Sequence, residues 1–170
     1  MRLFKSSKKN ESITDQISRV LTQEKLNFRC NTDSNQRDVI NMGVALKSGN
    51  VDCFIVLNHE KNLVEFLCVS PINIPENKRL EVGKLFHMIN GISYFGIFEV
   101  DFRDGMIRVK TCFIYHEEDF TSDETLRTYL FVGWDLYDRY FPGIMNIVYG
   151  NQDAETTFSS LINGINPKLN

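Results

Sequence analysis

Two neighbouring segments, residues 51–57 and 63–69, carry apolar side chains at both odd and even positions. In the first, Cys53, Ile55 and Leu57 alternate with Phe54 and Val56; in the second, Leu63 and Leu67 alternate with Val64 and Phe66. Successive side chains of a strand point to opposite faces of its sheet. Strands of this kind are therefore apolar on both sides, whereas an antiparallel sheet with one wet face alternates apolar with polar. The pair demands cover on each face. Helices of the same chain can supply one cover, and the other requires a further element, a second subunit or a bound peptide.

The flanking sequence supplies helices. Ser12 is placed to cap one that carries Ile13, Ile17, Val20 and Leu21 on a single face. A short strand is expected over 26–30 and a polar loop over 31–37. Residues 39–47 place Ile40, Met42, Val44 and Leu46 on one face, and Ser48-Gly49-Asn50 turns the chain into the apolar pair. Residues 58–62 form the polar turn within that pair. Pro75 suits the first position of a second helix, which carries Val82, Leu85, Phe86 and Ile89 and stops at Gly91.

Asp104-Gly105 is the favoured dipeptide of a two-residue type I′ turn. Placed there, it sets Phe102 against Ile107, Val100 against Val109 and Phe98 against Thr111, with Asp101–Arg108 and Glu99–Lys110 pairs on the opposite surface. Thr121 and Glu124 have the spacing of a capping box. The helix they begin runs Leu126, Leu130, Trp134, Tyr137 and Phe141 along one side, and Pro142 should kink or interrupt it. Beyond Gly150, the residues Ala154, Phe158, Leu161, Ile162 and Ile165 form an amphipathic stripe. Gly164 and Pro167 limit it to about three turns, too short to stand alone. It docks either on its own sheet or on a partner.

Size and charge narrow the function. A chain of 170 residues is one domain and buries about 70% of its unfolded surface, so its core needs no metal or disulfide. The net charge of −3 argues against nucleic-acid binding, which depends on a basic footprint. The basic run Arg2, Lys5, Lys8 and Lys9 reads as a solvated lead. The start lacks the apolar stretch of a signal peptide, and nowhere is there one of membrane-spanning length. The four cysteines, Cys30, Cys53, Cys68 and Cys112, include no C-x-x-C pair and read as reduced, small apolar side chains. These features point to the cytoplasm.

No catalytic constellation stands out. His116 lies beside Glu117, Glu118 and Asp119, but no second histidine or cysteine lies at ligand spacing, and a metal site needs three or four convergent ligands. His59 falls in a turn and His87 borders a helix face. No catalytic residue, metal or cofactor is assigned. Thirteen phenylalanines suit a thick core or an aromatic contact surface, and that surface is assigned to Phe54, Val56, Val64 and Phe66 with Phe158, Leu161, Ile162 and Ile165 of the tail.

One set of motifs is familiar in its order. The apolar pair runs into Pro71-Ile72-Asn73-Ile74-Pro75, and the second helix closes with Met88-Ile89-Asn90. Then come Gly96-Ile97-Phe98-Glu99-Val100-Asp101, the turn Asp104-Gly105, the helix start Thr121-Ser122-Asp123-Glu124, and Asp138-Arg139-Tyr140-Phe141-Pro142 leading to Tyr149-Gly150. The sequence resembles the YbjN family of bacterial sensory-transduction regulators over about residues 38–150. The resemblance implies a two-layer α+β fold like that of type III secretion chaperones, an antiparallel sheet packed by helices in the order α-β-β-β-α-β-β-α. The residues alone lead to the same order, preceded by the short strand.

The expected organisation is a lead over 1–10, a single YbjN-like domain over 11–150 and a tail over 151–170. The expected function is a non-enzymatic protein-interaction module, chaperone-like or regulatory, that forms a homodimer and holds a protein partner or client, with no nucleic acid or membrane. The alternatives are a small-ligand sensor, its pocket on the uncovered sheet face, and an enzyme using dispersed carboxylates such as Glu117 or Asp119.

Overall fold

Ser12 opens the first helix: its hydroxyl accepts the Asp15 N–H at 3.1 Å, and Ile13, Ile17, Val20 and Leu21 are buried. In this computed structural model residues 11–116 and 122–165 are described. Among them the order is α1 (Ile13–Gln23), β1 (Arg29–Thr32), β2 (Asp38–Leu46), β3 (Gly49–Asn58), β4 (Leu63–Val69), α2 (Glu76–Asn90), β5 (Ile97–Val100), β6 (Ile107–Ile114), α3 (Asp123–Val148) and α4 (Ala154–Ile165). The α+β class and the order of the main elements agree with the sequence reading. The first strand begins at Arg29 because Leu26 and Phe28 turn in to pack on the core instead.

The strands form one antiparallel sheet in the order β1-β2-β3-β4-β6-β5. Cross-strand rows such as Met42–Cys53–Cys68–Val109–Phe98 and Ile40–Ile55–Phe66–Thr111 lie on one face. Their apolar members join buried residues of all four helices in a single hydrophobic core. The helical layer thus sits on one face of the sheet.

Two loops depart from local expectation. The β5–β6 hairpin pairs Val100 with Ile107, Glu99 with Arg108 and Phe98 with Val109, a register two residues away from that of a type I′ turn. Asp101 N–H donates to Met106 O at 2.8 Å and Gly105 N–H to Asp101 O at 2.7 Å, so residues 102–105 make a four-residue loop. Gly105 has φ +82 and Asp104 is not left-handed. A two-residue slip preserves parity, so Phe98, Val100, Ile107 and Val109 keep the core side. Phe102, however, is left exposed in the loop. Glu99 meets both Arg108 and Lys110, at 2.5 and 2.6 Å, while Asp101 pairs with Arg103 instead.

The long helix is not interrupted. α3 runs 26 residues with Pro142 inside it. A proline at that position removes a bond to the carbonyl four residues earlier, which is that of Asp138. The Ser48 hydroxyl donates to this oxygen at 3.1 Å, and the Asp138 carboxylate accepts the Ser48 and Lys47 N–H groups at 2.7 and 3.2 Å. The β2–β3 turn is thereby pinned to α3. Asp138→Ala should lower stability by about 1–3 kcal/mol, measured by urea denaturation; an unchanged midpoint would show that the clasp contributes nothing. At the start of α3 the cap is Ser122, whose hydroxyl accepts the Thr125 N–H at 3.1 Å, while Thr121 lies outside the described residues.

The tail stripe becomes α4, packed against α2 and α3 in the helical layer, not against the sheet. Ala154 is fully buried in the core. Gly143 of α3 admits the close approach: a Cβ there would stand 2.6 Å from the Leu161 side chain and 3.0 Å from that of Thr157.

Candidate protein-interaction surface

The second face of the sheet is set by the β3–β4 connection. Asn58 pairs with Leu63, so the loop 59–62 has four residues and every pair joins an odd with an even position: Cys53 with Cys68, Phe54 with Leu67, Ile55 with Phe66, Val56 with Glu65 and Leu57 with Val64. Phe54 and Val56 therefore share a face with Leu63, Leu67 and Val69. Val64 and Phe66 face the other way, into the core, where both are buried. Assigning all four to one surface put Val64 and Phe66 on the wrong side of the sheet.

Three rows cross this second face. One is Asn41–Phe54–Leu67–Lys110–Ile97, with Val39–Val56–Glu65–Cys112 and Gly43–Asp52–Val69–Arg108–Glu99 on either side. Val39, Phe54, Leu63, Leu67 and Val69 are half-buried by their neighbours in the sheet, and none joins the hydrophobic core or the residues packed against it. Val56, at the centre, is 9% exposed, whereas Ile114 and Ile97 near the margins are 67% and 41% exposed. The described helices leave this apolar strip uncovered. Charges border it. Burial pulls the Glu99 carboxyl upward, but hydrogen bonds from Lys110 and Arg108 outweigh it and hold the group below its ordinary range.

The remaining predicted contact residues are on the helical side. Phe158 and Leu161 are partly buried against the core and Ile162 is half-buried; the side chain of Ile165 lies outside those described. They share no surface with Phe54 and Val56.

Two further features escaped sequence reasoning. Ile92, Tyr94 and Phe95 are exposed in the α2–β5 connection, and aromatics between Gly91 and Gly96 were the available signal. An open groove of about 650 Å³ lies between α2 and β5, lined by Leu80, Phe86, Met88, Phe98, Val100 and Phe102 with Lys84, His87 and Glu99. This concavity lies beside the sheet edge; another, of about 480 Å³, is lined by Asn41, Gly43, Asp52 and Phe54 of the uncovered face together with Phe28 and Arg29.

Polar clusters elsewhere act as fasteners. His59 contacts the Tyr115 hydroxyl and Asp38 through its two ring nitrogens, each at 3.0 Å, while Asp38 also accepts from Thr14 and Thr32. Tyr115 is buried, so this cluster joins α1, β1, β2, the β3–β4 loop and the end of β6. Among the described residues no three His, Cys, Asp or Glu side chains gather as metal ligands would. Glu117, Glu118 and Asp119 lie outside those residues, and His116 is exposed. No described helix is long and apolar enough to cross a membrane.

The sequence profile of the YbjN family, described as "Putative bacterial sensory transduction regulator", matches residues 14–145. The chain belongs to the YbjN family. The YbjN match takes in α1 and reaches into α3 as far as Met145, so the whole sheet lies within it and α4 does not. No curated protein matches the chain.

Proposed function

We propose that the chain is a non-enzymatic regulatory module that works by binding protein, and that it pairs with a second copy through the second face of its sheet. The observation that carries this reading is the apolar strip around Phe54, Val56 and Leu67, which no described helix covers. An apolar strip that no described helix covers is the kind of surface that marks contact sites. The YbjN description as a sensory-transduction regulator supports a regulatory role. A chaperone-like hold on a client segment uses the same surface, and the cytoplasm is the compartment that suits it.

Light scattering on the purified protein tests the pairing. A dimer is expected, with Phe54→Asp shifting it to a folded monomer by weakening association at least about a hundredfold. A wild-type protein that stays monomeric at high concentration would remove the homodimer from the proposal. Affinity capture with wild-type and Phe54→Asp protein then tests the partner, which the variant should fail to retain.

The groove between α2 and β5 favours a second reading, a sensor of a small amphipathic ligand, since its volume lies within the range of small-molecule sites. Gly83 of α2 also lines the groove, and a metabolite-dependent rise in melting temperature, lost in Gly83→Leu, would favour it.

A further inference from the structure

Cys53 and Cys68 stand directly opposite each other on β3 and β4, on the core face, each 3% exposed. Opposed residues of antiparallel strands have Cα atoms about 4.5–5.5 Å apart, within the span of about 4.4–6.8 Å that a disulfide bridges. The Trp134 indole N–H donates to the Cys53 sulfur at 3.1 Å. A cavity of about 10 Å³ lies alongside, lined by Cys53, Phe66, Cys68, Leu130, Gly133 and Trp134. That is the room one water needs. Gly133 keeps the space open, since nothing lies within 4 Å of where its Cβ would be.

We propose that Cys53 and Cys68 are a redox couple, converted by hydrogen peroxide into a cross-strand disulfide. Cys53 is the attacking sulfur. A hydrogen bond from Cys68 lowers its pKa against the opposing effect of burial, and the Trp134 N–H adds to the lowering. Cys68 is shifted upward by its hydrogen bond to Cys53 and by burial, so it keeps its proton until the second step. In the first step the Cys53 sulfur attacks one peroxide oxygen and the O–O bond breaks, leaving a sulfenic acid and one water. Cys68 then attacks the Cys53 sulfur, the S–O bond breaks, and the departing hydroxide takes the Cys68 proton as a second water. Two thiols lose two electrons and two protons, and one peroxide becomes two waters.

The disulfide would lie one residue from the opposed pair Phe54 and Leu67, so it would tie together the two strands that carry the apolar strip. This link to association rests on the interaction-surface reading; the couple itself does not.

The test treats the full chain with a slight excess of hydrogen peroxide and follows three readouts. Two of the four thiols should disappear, peptide mapping should find Cys53 joined to Cys68, and emission of the single tryptophan should change and then recover with dithiothreitol. Gly133→Ala, which fills the cavity, should slow the reaction severalfold, and an unchanged rate would overturn the access route. The couple is overturned if mapping finds Cys53 and Cys68 unlinked while Cys30 or Cys112 is oxidised, or finds Cys53 over-oxidised without a link. Mapping of the unmodified chain decides the matter even where Cys53→Ser or Cys68→Ser fails to fold. A protein that oxidises as described yet remains monomeric would refute the dimer and leave the couple standing.

Discussion

Gly105→Ala should destabilise the fold by about 3 kcal/mol or more, seen as a fall in the urea midpoint with little change in slope. Gly105 has φ +82, where any L-residue is strained, and a Cβ there would stand 2.0 Å from the carbonyl oxygen of Ile74. That obstacle is backbone and cannot rotate aside. It is also held in place: Ile74 N–H donates to Gly105 O at 2.7 Å, and Arg79 Nε donates to Ile74 O at 3.0 Å. The Arg79 guanidinium further donates to Phe102 O and Arg103 O. Relieving the clash would part the segment before α2 from the β5–β6 hairpin. Gly49 is the control. Its φ is +131 but nothing lies within 4 Å of its Cβ position, so Gly49→Ala should cost only the backbone strain. Equal losses at the two sites would show that the contact with Ile74 is unimportant.

Val64→Asp should abolish cooperative folding. Val64 is fully buried on β4, opposite Leu57, which is buried as completely. A carboxylate there loses its hydration with no cation to meet it, at a cost of several kcal/mol, against a total stability of about 5–15 kcal/mol for a typical domain. The same change at Phe54, on the neighbouring strand but the opposite face, should leave the fold intact. Circular dichroism and a melting curve on the two variants separate the faces. If Val64→Asp melted like the wild type while Phe54→Asp unfolded, the assignment of inside and outside would be reversed.

Those faces were only half legible in the sequence. Apolar residues at both parities revealed that β3 and β4 are lined on each side, but not which half of each strand belongs together. That depends on whether the connecting loop has an odd or even number of residues, and the Asn58–Leu63 pairing makes it four. The β5–β6 hairpin failed in a similar way. Local chemistry favours a two-residue turn at Asp104-Gly105, yet Ile74 and Arg79, distant in sequence, hold a longer loop. Parity survived the slip, and so the buried set was foreseen while Phe102 was not. Of the two outcomes expected at Pro142, interruption is absent, and the acceptor the proline frees is met by Ser48, about ninety residues away. The helix stripes of α1 and α2, by contrast, are local periodicities, and all the residues named on them are buried.

The sheet's outer strands bear on how large an assembly can grow. At one margin, Asn90 of α2 accepts the Phe98 N–H at 2.8 Å and donates to the Phe98 carbonyl at 2.9 Å, engaging the outward backbone groups of β5 where an incoming strand would begin to zip. At the other margin β1 is only four residues long. Ribbon-like growth by strand addition therefore finds poor purchase at either end. In the proposed pairing, contact through the uncovered face is used up once two copies meet.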